Sequence, residues 1–354
     1  ETDAQQIHDE FFYGEFAFDS FMDYDGFFTY VTSMDGSLFG MTDHLGIKPL
    51  YYRTDIDAMA SEINVLKIFG NVTIDETFMS NTLKWGYSPD GRTPYNEIKQ
   101  LPPGHFIHQG VVHKYWDWSK VKTTNLYDDM LRSVEARLGG QREVSMLLSG
   151  GLDSSIIHGL LKQIGREVTC IHVENHEKDF AHLVSDNLVE VKLDEVMDDD
   201  AVYIHQSPVD LGSVKPQIAM ARKLRELGFY AVLTGDGADE LFGGYRRAKE
   251  YDSQYSDTFS ELPYYHLPKL DRTMMRYTIE LRAPFLAPYI IKHALETPYS
   301  MRNGEKKILK ETFKDIVPKE IIDREKHPLK TDQIRKDPIE QRKRNDRIFR
   351  LKME

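Results

Sequence analysis

One cysteine, Cys170, in 354 residues excludes an internal disulfide and points to a reducing compartment, the cytoplasm. Nowhere do about 18 apolar residues run together, and no basic segment precedes an apolar stretch. Neither a membrane-spanning helix nor a secretion signal is therefore expected, and no membrane partner. Positive charge is in deficit: 45 Lys and Arg against 57 Asp and Glu leave a net −12. That balance argues against nucleic acid as a partner. Internal repeats of roughly 20–50 residues and low-complexity linkers are also missing, which excludes solenoids and arrays.

What remains is an ordinary folded composition, 40% apolar and 29% charged, long enough for two or three domains. Charge is unevenly spread. Residues 1–75 carry 14 acids against 3 bases, whereas residues 319–354 carry 12 bases against 8 acids, including Arg342-Lys343-Arg344. Such a run reads as a solvated helical face.

Up to about residue 120 the pattern is β-rich. Extended stretches at 27–31 and 38–41 flank a turn at Met34-Asp35-Gly36-Ser37, and a further extended piece ends at Tyr52. After Pro102-Pro103-Gly104, stretches 106–108 and 111–115 flank Gln109-Gly110. The texture then changes. Asn125 is placed to cap a helix in which Leu126, Met130, Leu131, Val134 and Leu138 keep a 3.6-residue period up to Gly139-Gly140. Strands are expected at 144–148, 168–173, 188–193 and 229–233. Helices fall between them, one carrying Ile156, Ile157, Leu160, Leu161 and Ile164, another starting at Pro216. Strands alternating with helices imply a parallel sheet. The domain boundary falls between Trp118 and Asn125, giving domains of 1–120 and 121–354.

Two loops carry chemistry. Ser149-Gly150-Gly151-Leu152-Asp153-Ser154-Ser155 joins the first parallel strand to its helix. There, backbone N–H groups and the helix N-terminus can cradle phosphate. No lysine closes it, so it is not the GxxxxGK[ST] loop of kinases and GTPases. Asp153 would repel phosphate unless a cation intervened, which implies Mg2+. The second loop, Thr234-Gly235-Asp236-Gly237-Ala238-Asp239-Glu240-Leu241-Phe242-Gly243-Gly244-Tyr245, follows the fourth strand. Ligands of open parallel sheets sit at the carboxyl ends of strands, so both loops should face one pocket. Three carboxylates among small residues suit a metal plus one proton-handling group, with Glu240 the one most suited to a structural role. Cys170, inside a strand, reads as core.

The first loop resembles the signature of PP-loop ATP pyrophosphatases, and the two loops together resemble the asparagine synthetase family, glutamine-hydrolysing type. Further matches follow in the family's order: Asp271-Arg272, Glu280-Leu281-Arg282-Ala283-Pro284-Phe285-Leu286, Glu305-Lys306-Lys307-Ile308-Leu309, Val317-Pro318-Lys319, Arg324 and Lys326. Before residue 120, the stretch from Asp43-His44-Leu45-Gly46 to Tyr51-Tyr52, Ala60-Ser61-Glu62-Ile63, and Leu101-Pro102-Pro103-Gly104 with Tyr115-Trp116 look like the second half of a glutaminase domain. The fold implied is α/β: a parallel-sheet PP-loop ATP pyrophosphatase synthetase domain preceded by a β-rich, partial Ntn-hydrolase-like glutaminase domain.

The resemblance implies ATP on Leu147, Ser149, Gly150, Gly151, Leu152, Asp153, Ser154, Ser155, Val173 and Gly235. Mg2+ would sit on Asp153 and Asp239, with Asp236 near the reacting carboxylate and Lys306 facing pyrophosphate and the developing oxyanion. Lys307 rivals Lys306 for that task, and a surface helix position for Lys306 is the bland alternative. Arg282 and Glu280 read as structural partners. The implied reaction adenylates aspartate to β-aspartyl-AMP, releases pyrophosphate, and forms asparagine and AMP with ammonia. Family members commonly pair through the glutaminase domain, leaving a homodimer as an open expectation.

Departures from the family are specific. Its glutaminase domains begin with a cysteine activated by its own α-amine; residue 1 here is Glu, and Asp3 matches the acidic residue of the glutamine pocket. This chain is therefore expected to use free ammonia or an internal amine, or glutamine only with an upstream cysteine. Thr42 replaces arginine, Ala287 replaces aspartate, Glu174 replaces glycine, and Asp236 replaces the commoner glutamate. Beyond Lys330 the family pattern fades. Three other readings stay open: an amide ligase of β-lactam synthetase or lasso-cyclase type acting on another carboxylate, a GMP or NAD synthetase, and a non-catalytic synthetase-like scaffold. The GMP and NAD synthetases leave the motifs at 43–52 and 101–116 unexplained, and retention of Asp153, Asp236, Asp239 and Lys306 speaks against the scaffold.

Overall fold

The computed structural model describes residues 24–140, 143–174, 178–193, 198–208, 214–245, 258–302, 305–324 and 338–351. Asp3 and Lys326 lie outside them. Strands β1 (Thr29–Met34) and β2 (Ser37–Thr42) are joined through Asp35 and Gly36, both at positive φ (52° and 78°). That mirror-image turn matches the twist of the strands it joins. β3 (Tyr51–Arg53), β4 (Met59–Ala60) and β5 (Ile98–Gln100) follow, then β6 (His105–His108) and β7 (Val111–Lys114), which repeat the device at Gln109 and Gly110 (50° and 75°). The antiparallel sheets run β1-β2-β6-β7 and β4-β3-β5. Between β4 and β5, Asp75 caps helix Glu76–Trp85 by accepting the Phe78 N–H at 3.0 Å, and Gly86, at φ 88°, ends it.

Asn125 caps helix Leu126–Ala136 by accepting from the Asp128 N–H at 3.0 Å. The chain then builds β8 (Val144–Leu147), β9 (Val168–Val173), β10 (Leu188–Val191), β11 (Ala231–Leu233) and β12 (Glu280–Arg282) into one parallel sheet ordered β10-β9-β8-β11-β12. After β8 the chain moves outward to β9 and β10, then returns to the other edge of β8 for β11 and β12. The order reverses at β8, so the loops after β8 and β11 flank the crevice where such sheets take ligands. Leu233 pairs with Met146, which levels the carboxyl ends of the two strands. Helices Leu152–Gln163, Lys178–Val184 and Val214–Glu226 fill the connections. The last begins at Val214, two residues before the proline expected to open it.

Met146, Ile156, Ile157, Leu160, Cys170 and Ile171 are buried in the core around this sheet. Burial pushes the Cys170 thiol up to about 11, so it stays protonated and inert near neutrality. β12 was not legible in the sequence; it pairs with β11 from Ala231↔Glu280 to Leu233↔Arg282. Its Arg282 binds Glu280 at 2.9 Å and donates to the Arg137 carbonyl at 2.8 Å, a structural role for both residues.

A polar seam joins the N-terminal sheets to this unit. Asp25 takes both terminal nitrogens of Arg137, at 2.7 and 2.5 Å, and accepts from the Tyr289 hydroxyl. His44 Nε2 meets the Leu286 carbonyl at 2.8 Å, and Lys48 pairs with Asp271 at 2.5 Å. Burial lowers the His44 pKa, which favours the neutral ring as donor to that carbonyl.

The basic C-terminal run does not form a free solvated face. Helix Pro338–Leu351 packs on helices Glu76–Trp85 and Asp198–His205, burying Asn345 and Phe349, while Arg342 donates to the Lys84 carbonyl at 2.9 Å and Arg350 pairs with Glu76 at 3.0 Å. Phe349 joins Tyr51, Ile63, Leu66, Phe78 and Tyr95 in one apolar cluster, its ring 6.2 Å from that of Tyr95. Phe349→Ala should therefore destabilise the protein by about 3 kcal/mol in urea unfolding. A loss under about 0.5 kcal/mol, the ordinary surface value, would restore the solvated-face reading.

Candidate functional site

At the end of β8 the chain enters the 149–155 loop, with Gly150 at φ 74°. A Cβ there would lie 2.7 Å from the Ala181 N and 2.9 Å from the Phe180 carbonyl carbon, so backbone packs against backbone and only glycine fits. Ser149 Oγ accepts from the Gly151 N–H at 3.2 Å and lies 3.1 Å from Ser154 Oγ, while Ser155 Oγ donates to the Gly151 carbonyl at 2.8 Å. These bonds shape the turn ahead of helix Leu152–Gln163, whose first N–H groups have no partners within the helix. Leu147 and Val173 close the ends of β8 and β9 beside it.

The loop after β11 leans on this cradle. A Cβ on Gly235 would sit 3.0 Å from both the Asp153 Cβ and the Ser154 N, so the two loops touch. Asp236 follows, accepting from the Thr234 hydroxyl. Burial pushes its carboxyl up to about 6; the Thr234 hydrogen bond opposes this, and negative Glu240 and Asp239 reinforce it. Glu240, on helix Ala238–Phe242, is buried and accepts from the Tyr245 hydroxyl at 2.5 Å. His266 ends a π-helical turn, Leu262–His266, with Nδ1 3.5 Å from Glu240 and Nε2 3.3 Å from Glu261.

Lys306 is buried, not on a helix surface. Its ammonium lies 2.6 and 2.5 Å from the two oxygens of Asp153 and contacts Asp239 Oδ1. Burial alone would depress its pKa, but Asp153 and then Asp239 outweigh it and hold the ammonium charged. Lys306 stands at φ 52° just ahead of helix Lys307–Phe313, a left-handed conformation that turns its side chain inward. Lys307 points outward, about half exposed and 3.8 Å from Glu305.

The structure thus brings Asp153, Gly235, Asp239 and Lys306 into direct proximity, with Asp236 coupled electrostatically to Asp239 and Glu240. Three nearby residues had no assigned role from sequence. Arg324 donates to the Gly150 carbonyl at 3.1 Å and stacks on Phe180 at 4.2 Å; its only signal was its place in the family's motif order. His172 on β9 holds the Leu148 carbonyl at 2.8 Å, while its Nε2 meets no hydrogen-bond partner among the described residues. His266 gave no signal at all.

Comparison with known proteins places the chain in a family. The Asparagine synthase family matches residues 125–261 and 248–345, and the Glutamine amidotransferase domain matches residues 12–116. The first match continues past Lys330, correcting the expectation that family character fades there. Asparagine synthetase B [glutamine-hydrolyzing] of Escherichia coli K12 is 27% identical over 360 residues, covering 85% of this chain and 59% of that protein. The human asparagine synthetase [glutamine-hydrolyzing] is 25% identical over 366 residues, covering 85% of this chain and 62% of its own length. The bovine protein of the same name is 31% identical over 265 residues, 63% of this chain and 46% of its own. The chain thus spans about three-fifths or less of these relatives. With the family's match extending over more than half of its length, the chain belongs to the asparagine synthase family.

Proposed function

We propose that this chain activates a carboxylate with ATP and converts it to an amide, with aspartate as acceptor and asparagine, AMP and pyrophosphate as products. The observation that carries this reading is Lys306 seated between Asp153 and Asp239 at the mouth of the β8 and β11 loops. A cation there faces the place where polyphosphate charge would collect. The family membership supplies the reaction class, and its relatives' names supply the product. The division into domains at 120/121 is part of the same proposal; it falls between the two family matches.

The loop of Ser149, Gly150, Gly151, Leu152, Asp153, Ser154 and Ser155 receives the phosphates through backbone N–H groups other than those of Ser149, Gly151 and Ser155, which bond within the loop, with Leu147, Val173 and Gly235 bordering the nucleotide. Asp153 and Asp239 fit a divalent cation: three of their oxygens already surround one buried cation, the Lys306 ammonium, and carboxylate oxygen is the donor Mg2+ prefers. Among the described residues no third His, Cys, Asp or Glu completes a metal cluster. A cation held here would draw its other ligands from phosphate and water, which suits Mg2+. When bound, it supplies charge neutralisation between two anionic reactants.

The aspartate β-carboxylate oxygen attacks the α-phosphorus, the bond to the β,γ-diphosphate breaks, and Lys306 steadies the departing pyrophosphate. Ammonia nitrogen then attacks the acyl carbon, AMP leaves with its electron pair, and Asp236 takes the nitrogen's proton. Incubation with Mg-ATP, aspartate and ammonium should yield equal AMP and asparagine by chromatography. No AMP under any condition would leave a synthetase-like scaffold, and AMP without asparagine would mean a different acceptor.

Asp236 must be ionised to accept that proton, so amide formation should fall as pH drops through about 6. The stability sign is opposite. Its folded pKa lies above the unfolded value of 3.8, so the folded state holds its proton longer, and stability is lost as pH rises from about 4 to 6. Asp236→Asn should abolish turnover yet gain about 2 kcal/mol at pH 7.5, the pKa shift discounted for partial exposure. Denaturant unfolding should show the gain vanish below pH 4. An unchanged stability at pH 7.5 would mean that the carboxyl is not strained by its site.

A further inference from the structure

Lys306 reaches its place at a conformational cost. It is one of few non-glycine residues at positive φ among those described, a left-handed conformation that a Cβ disfavours. Gly244 clears the path: a Cβ there would collide with both Asp239 Oδ1 and the Lys306 Cε. The result is a buried ammonium hydrogen-bonded to both oxygens of Asp153 and contacting Oδ1 of Asp239.

Those are the oxygens assigned above to the divalent cation. One point between two carboxylates cannot hold an ammonium and a divalent cation together, because like charges at such range in a buried site repel strongly. The ammonium occupies that point. It leaves only if another anion compensates it, and a nucleotide polyphosphate arriving at the 149–155 cradle is such an anion.

We propose that Lys306 is an internal counter-ion that keeps divalent cations off Asp153 and Asp239 until nucleotide phosphate draws its ammonium away. Cation and nucleotide then load as one event. This rests on the assignment of Asp153 and Asp239 as metal ligands in the proposed function.

Mn2+ binding to the full chain, followed by the electron paramagnetic resonance signal of the free ion, tests it without any turnover. The wild type should bind Mn2+ weakly alone and tightly with a non-hydrolysable α,β-methylene analogue of ATP. Lys306→Met should bind Mn2+ alone at least tenfold more tightly than the wild type does, and adding Asp153→Asn to it should abolish that gain. If Lys306→Met does not fold, Lys306→Gln takes its place, since it keeps length and hydrogen bonding without the charge. Equal Mn2+ affinity of wild type and variant without nucleotide, with tight binding in its presence, overturns the counter-ion role and leaves the metal ligands standing. No binding by any form, with or without the analogue, removes the metal assignment and the counter-ion role with it.

Discussion

A single buried ammonium gathers three segments that lie far apart in the chain. Lys306 holds Asp153 at the start of the helix after β8 and Asp239 in the helix after β11. Removing one partner of such a group leaves an uncompensated buried charge, which costs several kcal/mol. Much of the local backbone answers to this demand. Lys306 adopts a left-handed conformation and Gly244 stays bare so that the side chain can pass. Gly150 and Gly235 let loops and helix ends approach at backbone distance.

The same logic of charge governs the seam between the two halves. Asp25, Arg137, His44, Lys48 and Asp271 bind across it through directional bonds, beside Leu45 and Ile47, which enter the apolar core of the parallel-sheet unit. Asp43 is fully enclosed and accepts N–H groups of Leu45, Ile47, Lys48 and Phe28. Even so, burial leaves its carboxyl above the usual value. A loop held by one carboxylate in this way presents His44 to the Leu286 carbonyl with little freedom to move. These polar pairs therefore fix orientation more than they add stability, because desolvation offsets much of what each gains.

The sequence revealed most where punctuation is strong. Asn125, Gly165 and the Gly-Gly pair at 150–151 bounded the first strand, loop and helix closely, and the acid-and-glycine run after β11 marked its partner. Short elements and three-dimensional choices stayed hidden. β12 is three residues with one buried position, too brief to show a period. Phe349 and Asn345 sit in a helix whose charge masks its buried stripe. Lys306 and Lys307 are chemically the same in one dimension; only the backbone turn at Lys306 sends one inward and the other to solvent. His266 comes to Glu240 through a π-helical turn no spacing rule predicts.

The strand order has a consequence for how the chain comes to exist. β8 is central, yet its neighbour β11 emerges from the ribosome more than eighty residues later. Through that interval one edge of β8 carries unpaired backbone N–H and C=O groups in an apolar strand, a template for wrong pairing. Lys306 appears later still, so Asp153 and Asp239 spend that time as neighbouring uncompensated carboxylates. Synthesis thus passes first through a stretch with an open sheet edge and then, from Asp239 until Lys306, through one in which the two carboxylates lack their ammonium, both conditions that favour misfolding. A half-finished chain can fold its first βαβ unit, but it cannot hold the nucleotide cradle in its final form.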